Sequence, residues 1–136
     1  MATTTATITL SSADLTGDAL ALSTTSTLTK AGTNTGLDQT TGIARKYYAS
    51  AQTDTALIEA ADYSDDKAHK VYIKNTSSTA SEYVTIKIGA TEVGRLYAGD
   101  WMFLPWSADT TGTAADIDID TSAINMTVEY AVFYEA

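Results

Sequence analysis

Apolar and polar residues alternate with a period of two along much of the chain, and this pattern predicts β-strands rather than helices. The clearest segments are residues 83–88 (YVTIKI), 116–120 (DIDID) and 125–134 (NMTVEYAVFY), which alternate over most of their length. Residues 3–10 and 19–29 alternate more weakly, because Thr, Ser and Ala occupy most of their positions. We expect a strand in each of these five segments.

Turn signals separate the alternating segments, so the strands are short and numerous. A helix over residues 12–22 competes with a strand there, since Ser12 or Asp14 would cap it, but we favour the strand. A Gly-Ala pair at residues 89–90 forms a tight hairpin connection. About eight to ten short strands predict an all-β fold, an antiparallel β-sandwich of jelly-roll type, as a single domain over residues 1–136.

Two segments depart from this pattern: a flexible N-terminal arm over residues 1–5 and a loop over residues 30–42. The loop contains three Gly among small polar residues and is longer than most connections in compact domains. Segments of this kind order when they bind a partner, at an entropic cost. From these two segments we predict the following partner-contacting residues: Thr3, Thr5, Lys30, Asn34 and Leu37.

The amino-acid composition argues against several classes of binding partner. The chain has 25 Thr among 136 residues, and this β-branched side chain suits a strand better than a helix. The formal net charge is −9, which argues against nucleic acid and against an anionic membrane, because both attract clustered Lys and Arg. The absence of Cys excludes disulfides and thiolate metal sites. We therefore expect no cofactor, no metal, no nucleic acid and no membrane partner.

The sequence gives little support for catalysis. His69 is the single histidine and lies in a polar stretch, so we expect a solvated side chain at the start of a strand. A general base needs an orienting partner and a substrate within reach, and nothing in the sequence provides them. We predict that the protein is not an enzyme.

Three carboxylates share one face of a predicted strand: Asp116, Asp118 and Asp120. Neighbours of this spacing would suit a glycosidase, which uses two carboxylates, or a Ca²⁺ site, although the Gly and distal Glu of an EF-hand are missing. The same pattern arises when Ile117 and Ile119 are buried and the carboxylates face solvent. We favour this third interpretation.

Aromatic residues cluster in residues 101–106 (WMFLPW), where Trp101 and Phe103 share one face of the predicted strand. Pro105 lacks an N–H, so this strand ends or lies at a sheet edge there. A run that is apolar on both faces indicates core or a subunit interface, and a sugar-binding aromatic platform is the alternative. We add four residues to the predicted partner interface: Arg45, Tyr47, Trp101 and Trp106.

Several motifs then suggest a family. They are VYIKNTSS (71–78), VTIKIGATEVGRLYAGDWMFLPWSA (84–108) and TVEYAVFYEA (127–136). These segments resemble small virion structural proteins of tailed bacteriophages, especially phages of cyanobacteria and marine bacteria. The shared pattern is a strand ending in K-N-T, a hairpin, an L-x-x-G-D turn, an aromatic strand ending in P-W and a last strand with V-E-Y. These motifs are structural, and no catalytic residue is transferred with them.

The resemblance implies a component of the virion, most specifically a capsid decoration (cement) protein. Such a protein is made in the host cytoplasm, binds the outside of the shell formed by the major capsid protein and stabilises it. It is expected to form a homo-oligomer, a dimer or a trimer, so that several weak contacts act together. A tail, neck or fibre protein is the alternative in the same class, and a carbohydrate-binding module for host attachment is the alternative in another class.

Overall fold

The computed structural model describes residues 3–15, 17–109 and 115–136. The described part contains two packed antiparallel sheets and a separate two-stranded hairpin. Its strands are β1 (Thr5–Ser12), β2 (Leu20–Thr27), β3 (Gln39–Thr40), β4 (Ala44–Tyr48), β5 (Thr55–Ile58), β6 (His69–Asn75), β7 (Tyr83–Ile88), β8 (Thr91–Tyr97), β9 (Trp101–Trp106), β10 (Ile117–Thr121) and β11 (Met126–Tyr134), with a 3₁₀ turn at Ala60–Asp62.

The five-stranded sheet has the order β3-β11-β6-β9, and β4 also pairs with β11; the four-stranded sheet has the order β5-β10-β7-β8. Every pairing is antiparallel. The two sheets pack face to face around one apolar core. The all-β antiparallel sandwich expected from the alternation is confirmed, while the jelly-roll connection stays a prediction.

The core forms because each central strand places β-branched apolar residues at every second position. Val71 and Ile73 of β6 face Ile117 and Ile119 of β10, and all four are fully buried. Burying one such side chain stabilises the fold by roughly 1.5–3 kcal/mol. Pro105 lies on β9, the edge strand of its sheet, as its missing N–H predicts.

The first two strands form a hairpin outside the sandwich. Strand β2 confirms the strand predicted there and makes the helix over residues 12–22 wrong. All eight residues of β2 are exposed, and the strand pairs with β1 alone. Of the predicted arm over residues 1–5, residues 1–2 lie outside the described part, and Thr5 already belongs to β1.

The segment over residues 30–42 is held against β11. Within the segment, Lys30 and Asp38 form an ion pair, with Nζ and Oδ2 2.6 Å apart. The Thr41 N–H donates to the Val132 carbonyl at 3.0 Å, and β3 adds a short strand to the same sheet. The described part of the chain contains no helix with the length and hydrophobicity required to span a bilayer.

Candidate protein-binding surface

The outward face of the five-stranded sheet combines aromatic and charged side chains. Residues directly opposite each other in antiparallel strands lie on the same face, so the strand register defines this surface. We call it the outer sheet face, and its charged, aromatic and proline members are Arg45, Tyr47, Lys70, Tyr72, Lys74, Trp101, Phe103, Pro105, Glu129 and Phe133.

One row across this sheet joins two of the predicted interface residues, Arg45 and Trp101, and a third lies on the same face. Arg45 of β4 lies opposite Glu129 of β11, Glu129 opposite Lys74 of β6, and Lys74 opposite Trp101 of β9. Trp101 is 52% exposed and Tyr47, further along β4, is 60% exposed. Arg45, Tyr47 and Trp101 are therefore brought to one face, as a shared interface requires.

A charge network holds the centre of the row. Arg45 Nε donates to Glu129 Oε2 at 2.8 Å, and the Tyr72 hydroxyl donates to Glu129 Oε1 at 3.2 Å. The Arg45 guanidinium holds the pKa of Glu129 below its usual value. Burial, followed by the hydrogen bond to Glu129, raises the pKa of Tyr72. Glu129 is thus an ionised, nearly buried anchor beneath exposed neighbours.

Two cations on this face form no direct side-chain contact with an acidic group in the described part of the chain. Within the described residues, Lys70 and Lys74 make no ion pair and no side-chain hydrogen bond, whereas every other Lys and Arg makes at least one. Both lie on β6 beside the aromatic strand, Lys70 opposite Pro105 and Lys74 opposite Trp101. The outer sheet face therefore carries positive charge in a chain whose net charge is −9.

An open groove of about 300 Å³ separates the base of the hairpin from this face. Its residues are Ala6, Ile8, Thr24, Ser26, Leu28, Lys70, Phe103 and Pro105. The register places a row of apolar residues on the hairpin face that turns toward the groove. We call this row the apolar stripe, and its members are Ala6, Ile8, Leu10, Leu20 and Leu22.

The opposite hairpin face is polar and uncharged. Thr7 and Thr25 are hydrogen-bonded through their hydroxyls at 2.8 Å, and Thr9 and Ser23 at 3.3 Å. Cross-strand Thr–Thr pairs of this kind stabilise a sheet by a few tenths of a kcal/mol up to about 1 kcal/mol each. The hairpin thus has one apolar and one hydroxyl-rich face, both open to solvent.

Two predicted interface residues are buried instead of exposed. Trp106 is 5% exposed and packs in the sandwich core, where its indole N–H donates to the Ala115 carbonyl at 2.8 Å. Leu37 is 2% exposed, and its N–H donates to the Leu28 carbonyl. Neither side chain is accessible to a partner in this fold, because the sheet alternation turns Trp106 inward and the loop closes over Leu37. Thr3, Thr5 and Asn34 are exposed and Lys30 is partly exposed, all near the hairpin base.

The prediction of a solvated His69 is wrong. The side chain is 1% exposed, because β6 turns it inward in phase with Val71 and Ile73. The rings of Tyr63 and Trp106 meet it edge-on, each with centroids 5.6 Å from its own. Among the residues that the structure describes, neither ring nitrogen has a hydrogen-bond partner of normal geometry. Burial lowers the pKa of His69, so the imidazole is neutral near pH 7.

The carboxylates around β10 have structural partners. Asp116 accepts the Ala60 N–H at 2.8 Å, and Lys87 binds Asp54 and Asp120, each at 2.6 Å. Burial, followed by the charge of Asp116, raises the pKa of Asp118. Ile117 and Ile119 are buried as predicted, but the expectation that all three carboxylates face solvent is wrong for Asp116, which is 7% exposed. Within the described residues, no group of three or more His, Asp or Glu side chains is arranged to bind a metal ion.

The sequence reasoning missed the apolar stripe. The segments containing Leu10, Leu20 and Leu22 were predicted as strands, with no prediction that these side chains are exposed, yet each is at least 40% exposed. One signal was available, since β1 and β2 contain no charged residue and almost no β-branched apolar residue, unlike the core strands.

Comparison of the chain with protein-family models, with curated proteins and with solved structures found no match.

Proposed function

We propose that this protein is a structural component of a tailed-phage virion, a decoration protein that binds the outside of the capsid shell and stabilises it. The observation that carries the proposal is the projecting hairpin, in which every residue of β2 is exposed. An isolated two-stranded hairpin is marginally stable in water. A hairpin of this kind gains stability when another surface covers it, and a capsid shell offers such a surface.

The distribution of side chains supports binding to protein. Exposed Tyr47 and Trp101 belong to the residue types that contribute most at protein interfaces. The negative net charge keeps free copies soluble before assembly. The resemblance to small virion proteins, carried by Lys74-Asn75-Thr76 and the turn that ends at Asp100, gives the class of assembly.

We further infer a jelly-roll arrangement. Beyond β3, the chain crosses from one sheet to the other at each step except β7 to β8, which form a hairpin in one sheet. The resulting orders, β4-β11-β6-β9 and β5-β10-β7-β8, are those expected of an eight-stranded jelly roll, an architecture used by viral capsid domains.

The test is co-sedimentation of the purified protein with empty phage heads and, separately, with tails. We expect saturable binding to heads and a higher temperature for genome release. A variant whose hairpin is shortened by replacing residues 9–23 with an Asn-Gly turn should lose this binding, since those residues project from the sandwich. Tyr97→Ala, which removes an exposed aromatic ring from the four-stranded sheet, is the matched control and should bind normally.

Two other binding results would support the alternative functions. Binding to tails alone would overturn the decoration role in favour of a tail, neck or fibre component. Binding to neither, with quenching of Trp101 fluorescence by host polysaccharide, would support the carbohydrate-binding module, because Trp101 is the exposed tryptophan.

A further inference from the structure

We propose that the hairpin of one copy binds the outer sheet face of a second copy, so that the protein assembles head to tail through its apolar stripe. The inference does not depend on the virion, since both surfaces belong to this chain. It goes beyond the proposed function by assigning the two surfaces of a self-contact.

Within one chain, the base of the stripe already lies over the outer sheet face. Ala6 and Ile8 line one wall of the groove, and Phe103 and Pro105 line the other. Alternate residues of a strand lie on one face, so Leu10 and its partner Leu22 continue the stripe in the same direction. They are 53% and 46% exposed, which shows that the chain's own sheet does not cover them.

The surface that would cover them is present on every copy. Trp101 and Tyr47 are exposed on the same outer sheet face whose other end lies under the hairpin base. Phe103 borders the groove two residues from Trp101, so the accessible aromatic surface is continuous with the surface that the stripe already meets. The hairpin of a second copy would therefore contact an aromatic surface like the one that the hairpin base meets within its own chain.

The distribution of charge favours a second copy of the chain as the partner and sets its orientation. The sequence between β1 and β2 contains the acidic residue Asp14 and no Lys or Arg, while the strands themselves are uncharged. Lys70 and Lys74 on the outer sheet face have no ion pair within the described residues. Copies with a net charge of −9 repel each other overall, so local pairing of opposite charges is what directs the acidic turn to the basic face.

The test measures self-association by analytical ultracentrifugation over a concentration series, without phage heads. Leu10→Ser/Leu22→Ser and Trp101→Ala should each weaken association by about tenfold or more, because each removes an apolar contact at the centre of the interface. The exchange Thr9→Ser/Ser23→Thr, on the hydroxyl-rich face, is the matched control and should leave association unchanged. Far-UV circular dichroism checks that each variant is folded.

Mixing the two weakened variants tests the head-to-tail geometry. The Trp101→Ala chain keeps a functional hairpin and the Leu10→Ser/Leu22→Ser chain keeps a functional face, so the mixture should form a dimer and stop there. Lys74→Glu should also weaken association, and adding Asp14→Lys to it should restore binding. A wild-type protein that stays monomeric at millimolar concentration would overturn the proposal, as would a mixture that forms no dimer.

Discussion

Strands β6 and β2 both alternate with a period of two, but β6 lies in the core sandwich and β2 is exposed. In β6, alternate residues such as Val71 and Ile73 are fully buried between the two sheets, and the strand has a neighbour on each side. In β2, Leu20 and Leu22 alternate with the small residues Ala21 and Ser23, yet the whole strand is exposed and, among the described strands, pairs with β1 alone. The period of two therefore specifies that a segment is a strand, whereas its place depends on whether another apolar layer faces it.

The largest expected difference in stability between buried and exposed positions is between the two tryptophans of β9. Trp106→Ala should destabilise the fold by about 3–5 kcal/mol, because it empties a buried site and removes the hydrogen bond to Ala115. Trp101→Ala, on the outward face of the same strand, should cost less than about 1 kcal/mol. Urea unfolding followed by circular dichroism measures both. Equal losses would show that inward and outward positions of β9 do not differ as the structure indicates.

A matched pair of aliphatic residues compares the core strand with the hairpin directly. Ile73→Ala should cost about 2–5 kcal/mol, because it leaves a cavity between the sheets. Leu22→Ala should change the free energy of unfolding of the monomer by no more than about 0.5 kcal/mol. The measurement is urea unfolding at a protein concentration low enough to exclude self-association. A loss above 2 kcal/mol for Leu22→Ala would place the hairpin in the cooperative core.

The fold class could be predicted because the core strands carry strong local signals. The buried face of β10 followed from Ile117 and Ile119, and the edge position of β9 from Pro105. The position of the hairpin could not be predicted, since β1 and β2 alternate like any strand. Their lack of neighbours is a property of the tertiary structure.

The candidate surface was predicted in part. Arg45, Tyr47 and Trp101 lie on one outer face, although they come from two strands that are distant in the sequence. Whether each of the other predicted residues faces solvent or the core depends on the phase of the alternation, because a shift of one residue moves a side chain to the other face. Trp106 and His69 were misplaced for this reason: each lies at the end of its strand, where the phase is least certain from sequence.

His69 provides the smallest and most specific test, because it is the titratable side chain on the buried face of β6. Since burial lowers its pKa in the folded state, the unfolded chain binds a proton first as the pH falls below about 6.5. Stability should therefore be full above pH 7 and fall below about pH 6.5, by up to about 1.4 kcal/mol per pH unit. Urea unfolding at pH 7.5 and pH 5.5 measures the effect.

The variant His69→Leu should remove this pH dependence, because Leu fills a similar volume among Tyr63, Trp106 and Tyr134 without a titrating group. A backbone interaction with Lys67 and the charge of Glu135 favour protonation of His69 and Lys70 opposes it, but each is a weaker influence on the His69 pKa than burial. Asp118 acts in the opposite sense, since a carboxyl whose pKa is raised by folding gains stability as the pH falls, so Asp118→Asn is the matched control and should retain the loss below pH 6.5. An identical pH dependence in wild-type and His69→Leu proteins would mean that the imidazole is hydrated in solution, and that β6 is open at the end where the aromatic rings now enclose it.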